Sequence, residues 1–213
     1  MFVYPNLVRT IDLTGKVTDP WGITSDGKNF WVVSSGDASI VMIDRNGNVL
    51  KSLDISACTD QPRDITFDGK YLYFIEQNTN NLFKIDTNGI VYSITSVNSI
   101  DDEPTGISFF GKNLWICGMQ NSRAYNIDRN SYLIKYLSLI GLSMDPVAIS
   151  HDNHVLWILT EFYAQCQQIT RYANYLYIIS TFEVDDNMRG VYYDGHFLWM
   201  IGQENTSLYQ IKI

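Results

Sequence analysis

The sequence predicts an all-β fold: a five-bladed β-propeller with four antiparallel strands per blade. Two observations carry this. The stretch 20–33, PWGITSDGKNFWVV, recurs from Pro62, Pro104, Pro146 and Met188, a constant step of 42 residues as from Pro20 to Pro62. A fixed period of this length, filled with strand-like alternation, marks a repeat array of four-stranded blades. The ends of the chain also match. Segment 7–13, LVRTIDL, falls on segment 49–55, VLKSLDI, one period later, while the chain stops at Ile213 after a third strand. The N-terminal strand is therefore expected to complete the last blade, leaving no orphan edge, and residues 1–213 are expected to form a single domain.

In the first copy, 21–25 and 29–33 read as two strands around Asp26-Gly27. Asp-Gly between apolar runs is a hairpin signal, and a type I′ turn with positive φ at both central residues is expected. Gly27, Gly69, Gly111 and Gly195 keep this position, with Asn153 in the fourth copy. A third strand carries Ile40 and Ile43, and their equivalents up to Leu208 and Ile211, on one apolar face. A fourth runs 49–55, 91–97, 133–139 and 175–181, after turns such as Asn46-Gly47 and Asn88-Gly89. No segment sustains a helical period.

The pattern P-x-G-I-x-x-D-G-x-x-L/F-W, followed by I-D-x-x-G and a fourth strand, resembles the virginiamycin B lyase-like, NHL-repeat and gluconolactonase-like propellers over nearly the whole chain. Those groups typically have six or seven blades, so five is a departure. The resemblance implies a central site using His, Glu and a divalent metal in the lyase-like members. His151, His154 and His196 all lie near the first-to-second strand turn, opposite the usual active-site face, so no catalytic residue and no metal ligand is carried over.

Net charge is −8 and the pI about 4.7, with 46% hydrophobic residues. That supports a substantial core and argues against a nucleic-acid partner, which needs clustered basic surface. No apolar run is long enough to span a bilayer, and the N-terminal stretch reads as part of a blade rather than a leader. Cys58, Cys117 and Cys166 each replace an apolar residue of another repeat, as free thiols in a core do. A cytoplasmic monomer is the expectation.

Positions alike in every copy serve the fold; departures are candidates for function. The column Trp31, Tyr73, Trp115, Trp157, Trp199 is expected to pack between blades rather than to bind sugars. Asp19, Gln61, Glu103, Asp145 and Asn187, before each first strand, read as loop caps; the alternative is a carboxylate ring holding a cation such as calcium. The innermost column is Gly22, Asp64, Gly106, Ala148, Gly190, in which Asp64 alone is charged. One residue earlier stand Trp21, Arg63, Thr105, Val147 and Arg189. Asp64 either takes a ligand or plugs the axis by pairing with arginine or backbone amides. The loops after the second strands differ from one another; in the fourth, Phe162 and Tyr163 are expected to form an aromatic tip beside Glu161. Glu76 and Glu204, with Asp60, Asp101, Asp102, Asp185 and Asp186, give the rim an acidic character.

Trp21, Arg63, Asp64, Arg189, Glu161, Phe162 and Tyr163 are thus the candidate ligand-binding residues. The leading expectation is a non-catalytic binding scaffold for a protein partner or small polar ligand, with no cofactor beyond a calcium-like cation. An enzyme with its site in the central mouth, glycosidase- or lyase/lactonase-like, is the alternative. A glycosidase would need opposed carboxylates, nominally Asp64 with Glu161 or Glu204. A lectin with equivalent sites on several blades is the third reading.

Overall fold

A computed structural model describes residues 6–139, 145–151, 155–160, 165–172, 175–183 and 188–213. The described chain is a propeller of four-stranded antiparallel sheets. One holds β2 (Pro20–Ser25), β3 (Phe30–Ser34), β4 (Ser39–Ile43) and β5 (Val49–Asp54), preceded in the chain by β1 (Leu7–Asp12). The next holds β6 (Pro62–Phe67), β7 (Tyr71–Glu76), β8 (Asn81–Asp86) and β9 (Val91–Ser96). It is followed by β10 (Pro104–Phe110), β11 (Asn113–Gly118), β12 (Arg123–Ile127) and β13 (Leu133–Ser138), and by β14 (Pro146–His151), β15 (Val155–Thr160), β16 (Gln165–Tyr172) and β17 (Tyr175–Glu183). Finally β18 (Met188–Tyr193), β19 (Phe197–Gly202) and β20 (Ser207–Lys212) take β1 as their fourth strand, with Ile11 opposite Leu208.

The apolar core lies between sheets. Trp31, Val33 and Ile40 pack on Ile65, Leu72 and Phe74 of the next sheet. Trp199, Ile201 and Ile11 pack in the same way on Phe30, Val32 and Ile43. Similar clusters join each remaining neighbouring pair. The second strands β3, β7, β11, β15 and β19 are buried on both faces, whereas β9 and β13 face outward with Tyr92, Ile94, Ile134 and Tyr136 exposed.

The hairpin between first and second strands departs from the expected type I′ turn. Positive φ is confined to the glycine: Gly27 at 89°, Gly69 at 92°, Gly195 at 97°. The reason is the aspartate. Asp26 accepts the amides of Lys28 (2.9 Å) and Asn29 (2.6 Å), closing a longer loop through its side chain. The same carboxylates anchor the aromatic column from its polar end. Asp26 takes the Trp31 indole N–H, Asp68 the Tyr73 hydroxyl and Asp194 the Trp199 indole N–H, at 3.3, 3.2 and 2.6 Å. All five column aromatics are buried, which supports packing and leaves no ladder for sugars. Arginines from the neighbouring sheet reach two of these turns: Arg129 to Asp68 at 3.1 Å, and Arg45 to Asp194 at 3.7 Å.

Candidate functional site at the loop-face mouth

The inner strands β2, β6, β10, β14 and β18 lie side by side, and β18 packs in turn on β2. Their third residues crowd the axis. A Cβ added to Gly22 would lie 2.5 Å from the Asp64 Cα, and one added to Gly106 2.8 Å from the Ala148 Cα. Only the smallest residues fit against a neighbouring backbone at that distance, which explains the small-residue column.

Asp64 is the exception because its carboxyl fills the gap left by those glycines. It is almost fully buried. One oxygen accepts the Ile65 amide at 2.9 Å and the other the Ile107 amide at 2.8 Å, and the Ile23 amide also donates to it. These amides belong to the axis-facing edges of β6, β10 and β2, which have no further strand to pair with. Burial pushes the Asp64 carboxyl well above the usual aspartate range, against the opposing pull of the amides. Of the two expected roles, this geometry is that of the axial plug.

The mouth on the loop face is built around Trp21. The Arg63 guanidinium carbon lies 3.7 Å from the centroid of its ring, and that of Arg189 5.1 Å. Arg63 donates from Nε to Gln77 Oε1 at 2.6 Å and also from Nη2. Arg189 donates from Nε to Gln203 Oε1 at 2.9 Å. Gln203 donates to Asp19, whose other oxygen accepts the Trp21 indole N–H at 3.2 Å. On the other side of the mouth Thr105 and Val147 are buried, and Thr105 donates to the Pro146 carbonyl.

Trp21, Arg63 and Arg189 are therefore brought together, with Asp64 beneath them in the next layer. Glu161, Phe162 and Tyr163 lie outside the described residues, as do Asp185, Asp186 and His154. Other rim acids have local work. Glu76 is buried, accepting the amides of Asn78 and Thr79. Asp101 accepts the Tyr125 hydroxyl at 3.0 Å and the Glu103 amide at 2.9 Å, and helps push the phenol up to about 12 after burial itself. Asp60, Asp102 and Glu204 are exposed. Asp19, Gln61 and Glu103 cap their loops through backbone carbonyls, which accept the amides of Ser35, Gln77 and Met119. Among the described residues no group of three or more His, Cys, Asp and Glu is placed to hold a metal.

Sequence reasoning missed Gln77 and Gln203 as the partners that orient the arginines. The signal was present: the two columns change together, as Arg63 with Gln77 and Arg189 with Gln203, but Thr105 with Met119. Cys117 lies near the axis, yet burial pushes its thiol up to about 12, so it is not an activated nucleophile.

No family model matches the sequence, and no curated protein matches it. Solved structures do match. Glutaminyl cyclase from Myxococcus xanthus superposes with a TM-score of 0.79 at 10% identity, over 97% of this chain and 94% of that one. Virginiamycin B lyase from Staphylococcus aureus gives 0.59 at 17% identity, over 91% and 66%. A structure of a nidogen/laminin complex gives 0.65 at 11% identity, over 91% and 75%. The likeness to lyase-type propellers holds for the fold, and at these identities for the fold alone.

Proposed function

We propose that the chain is a closed five-bladed propeller acting as a non-catalytic binding module, with the Trp21–Arg63–Arg189 mouth as its recognition site. The sheet orders, the pairing of β1 with β20 and the unbroken run of inter-sheet cores support the ring. The observation that carries the function is the pair of guanidiniums over one indole, each oriented by a glutamine. A planar guanidinium offers forked donors suited to carboxylates. Stacking on Trp21 keeps the cation near the mouth while leaving its edge directed by hydrogen bonds. The ligand is a small carboxylate-bearing molecule or an acidic segment of a protein partner, met by a monomer. Three unpaired cysteines favour a reducing, cytoplasmic setting.

The second reading is an enzyme using the same mouth, favoured by the close superposition on glutaminyl cyclase over almost the whole of both chains. Asp64 gives it little support, since both its oxygens are engaged by backbone amides. The lectin reading has the least support, because the repeated aromatics are buried.

Thermal unfolding with citrate, succinate, glutamate and glucose tests the proposal, since a ligand of the folded form raises the melting temperature. A shift with the carboxylates that disappears in Arg63→Ala and Arg189→Ala supports it. A shift with glucose alone, or one that both variants retain, rejects the arginine site. Turnover of a bound carboxylate moves the assignment to the enzyme reading.

A further inference from the structure

The axis has a second opening, at the hairpin end, where the fourth to sixth residues of each inner strand surround a cavity of ≈ 170 Å³. Its deepest residues include Ile23, Ile65 and Ile107, whose amides are taken by Asp64. The plug therefore closes it from the loop-face mouth and makes it a blind well.

Its wall has a distinct chemistry. The fifth residues of the inner strands are Thr24, Thr66, Ser108, Ser150 and Tyr192, a hydroxyl from every strand. Two of these hydroxyls already accept an amide from the next strand: Thr66 from Phe109 at 2.8 Å, Ser150 from Tyr193 at 2.9 Å. Having accepted, each keeps its own proton to donate. The residues whose amides leave the sheet edge here also turn their carbonyls to that edge, because both groups of one residue point the same way in an antiparallel strand. The wall thus interleaves hydroxyl donors with carbonyl acceptors. Among the described residues that line it there is no Asp, Glu, Lys or Arg, and His151 is the one basic side chain, so a wall of neutral hydroxyls and carbonyls suits an uncharged ligand better than an ion. Phe67, Phe109 and Tyr193, each half-buried, stand at the opening.

We propose that this well binds a small uncharged polyol, a molecule whose hydroxyls both donate and accept and whose carbon face packs on the aromatic rim. A cavity of ≈ 170 Å³ has room for several heavy atoms, the size of such a polyol. The site lies at the opposite end of the axis from the arginine mouth, so either proposal stands or falls without the other.

The test is calorimetric titration of the full chain with glycerol, erythritol and myo-inositol, alongside Thr24→Val and Ser108→Val. Valine copies the shape of threonine, which the same column already holds at 24 and 66. The expected result is saturable binding of at least one probe, one per chain, weakened about tenfold in each variant by loss of a hydrogen bond. Saturation-transfer NMR on the unmodified protein, irradiated at its aromatic protons and read at the C–H signals of the probe, covers the case of a variant that fails to fold. Heats that rise linearly for all three probes with no saturation transfer, or equal binding by well-folded variants, overturn the proposal.

Discussion

Asp64→Asn isolates the axial plug. The asparagine keeps the size of the side chain and removes its titration. In the native protein one carboxyl oxygen accepts the Ile65 amide and the other the Ile107 amide, at 2.9 and 2.8 Å. An amide nitrogen cannot accept, so the variant leaves one of these buried N–H groups unpaired, at a cost of roughly 1–3 kcal/mol. For a chain of this length that is a fall of roughly 2–12 °C in melting temperature. The pH dependence is the sharper signature. Burial raises the Asp64 pKa in the folded protein, so the native state binds this proton more tightly than the unfolded chain does. The associated stability is complete below the unfolded value of about 3.9 and is lost as pH climbs toward the folded value. Each pH unit in that window removes about 1.4 kcal/mol from the native protein and nothing from the variant. The stability gap between the two should therefore narrow as pH rises from about 4. Other carboxylates run the opposite way. Burial pushes Asp26 up, but the Asn29 and Lys28 amides and the Trp31 indole outweigh it and hold it low, so its contribution is lost as pH falls. That term is common to both proteins and cancels in the difference. Denaturant titrations of both from about pH 4 to 8 measure the gap; a gap constant across that range refutes the account of Asp64 as an amide-bound plug whose pKa burial raises.

Arg129→Ala removes the 3.1 Å partner of Asp68, whose side chain has no exposure, and should cost about 1–2 kcal/mol; a double-mutant cycle with Asp68→Asn reads the coupling. Gly22→Ala should cost about 1–3 kcal/mol or more, because the new Cβ would meet the Asp64 Cα at 2.5 Å. Gly111→Ala, at φ 67° with open space around it, should cost only about 1–2 kcal/mol of backbone strain; melting temperatures in one buffer rank the pair. Cys117 and Cys166 should resist a thiol reagent in the native protein, since burial raises both and holds Cys117 at about 12, while half-buried Cys58 reacts first; a native reaction of all three thiols at equal rate contradicts this.

Most of the strand positions were legible in the sequence because a propeller repeats its constraints. Each copy must bury its middle strands between neighbours, four of the five turn on a glycine and four present a small residue where inner strands crowd, so the pattern is written nearly five times over. The partner of each turn aspartate was not legible. Asp26 and Trp31 are five apart, and nothing in their spacing says that the indole folds back on the carboxylate. The type I′ expectation failed for the same reason: it counted backbone preferences and left out a side chain that supplies the hydrogen bonds itself.

The candidate site was legible by column and illegible by contact. Departure from the repeat picked out Trp21, Arg63, Asp64 and Arg189, which the structure brings together, and it left two roles open for Asp64: a ligand, or a plug paired with arginine or backbone amides. The structure separates them by what each can bond to. Asp64 meets three amides that have no strand to pair with, so its chemistry is consumed by the fold. Arg63 and Arg189 are instead oriented by Gln77 and Gln203, one turn of chain away in the same repeat. A residue that departs alone repairs a local defect of the ring. Residues that depart in matched pairs, twice, on either side of one tryptophan, are what a packing requirement does not demand, and that is the ground on which the recognition site is proposed.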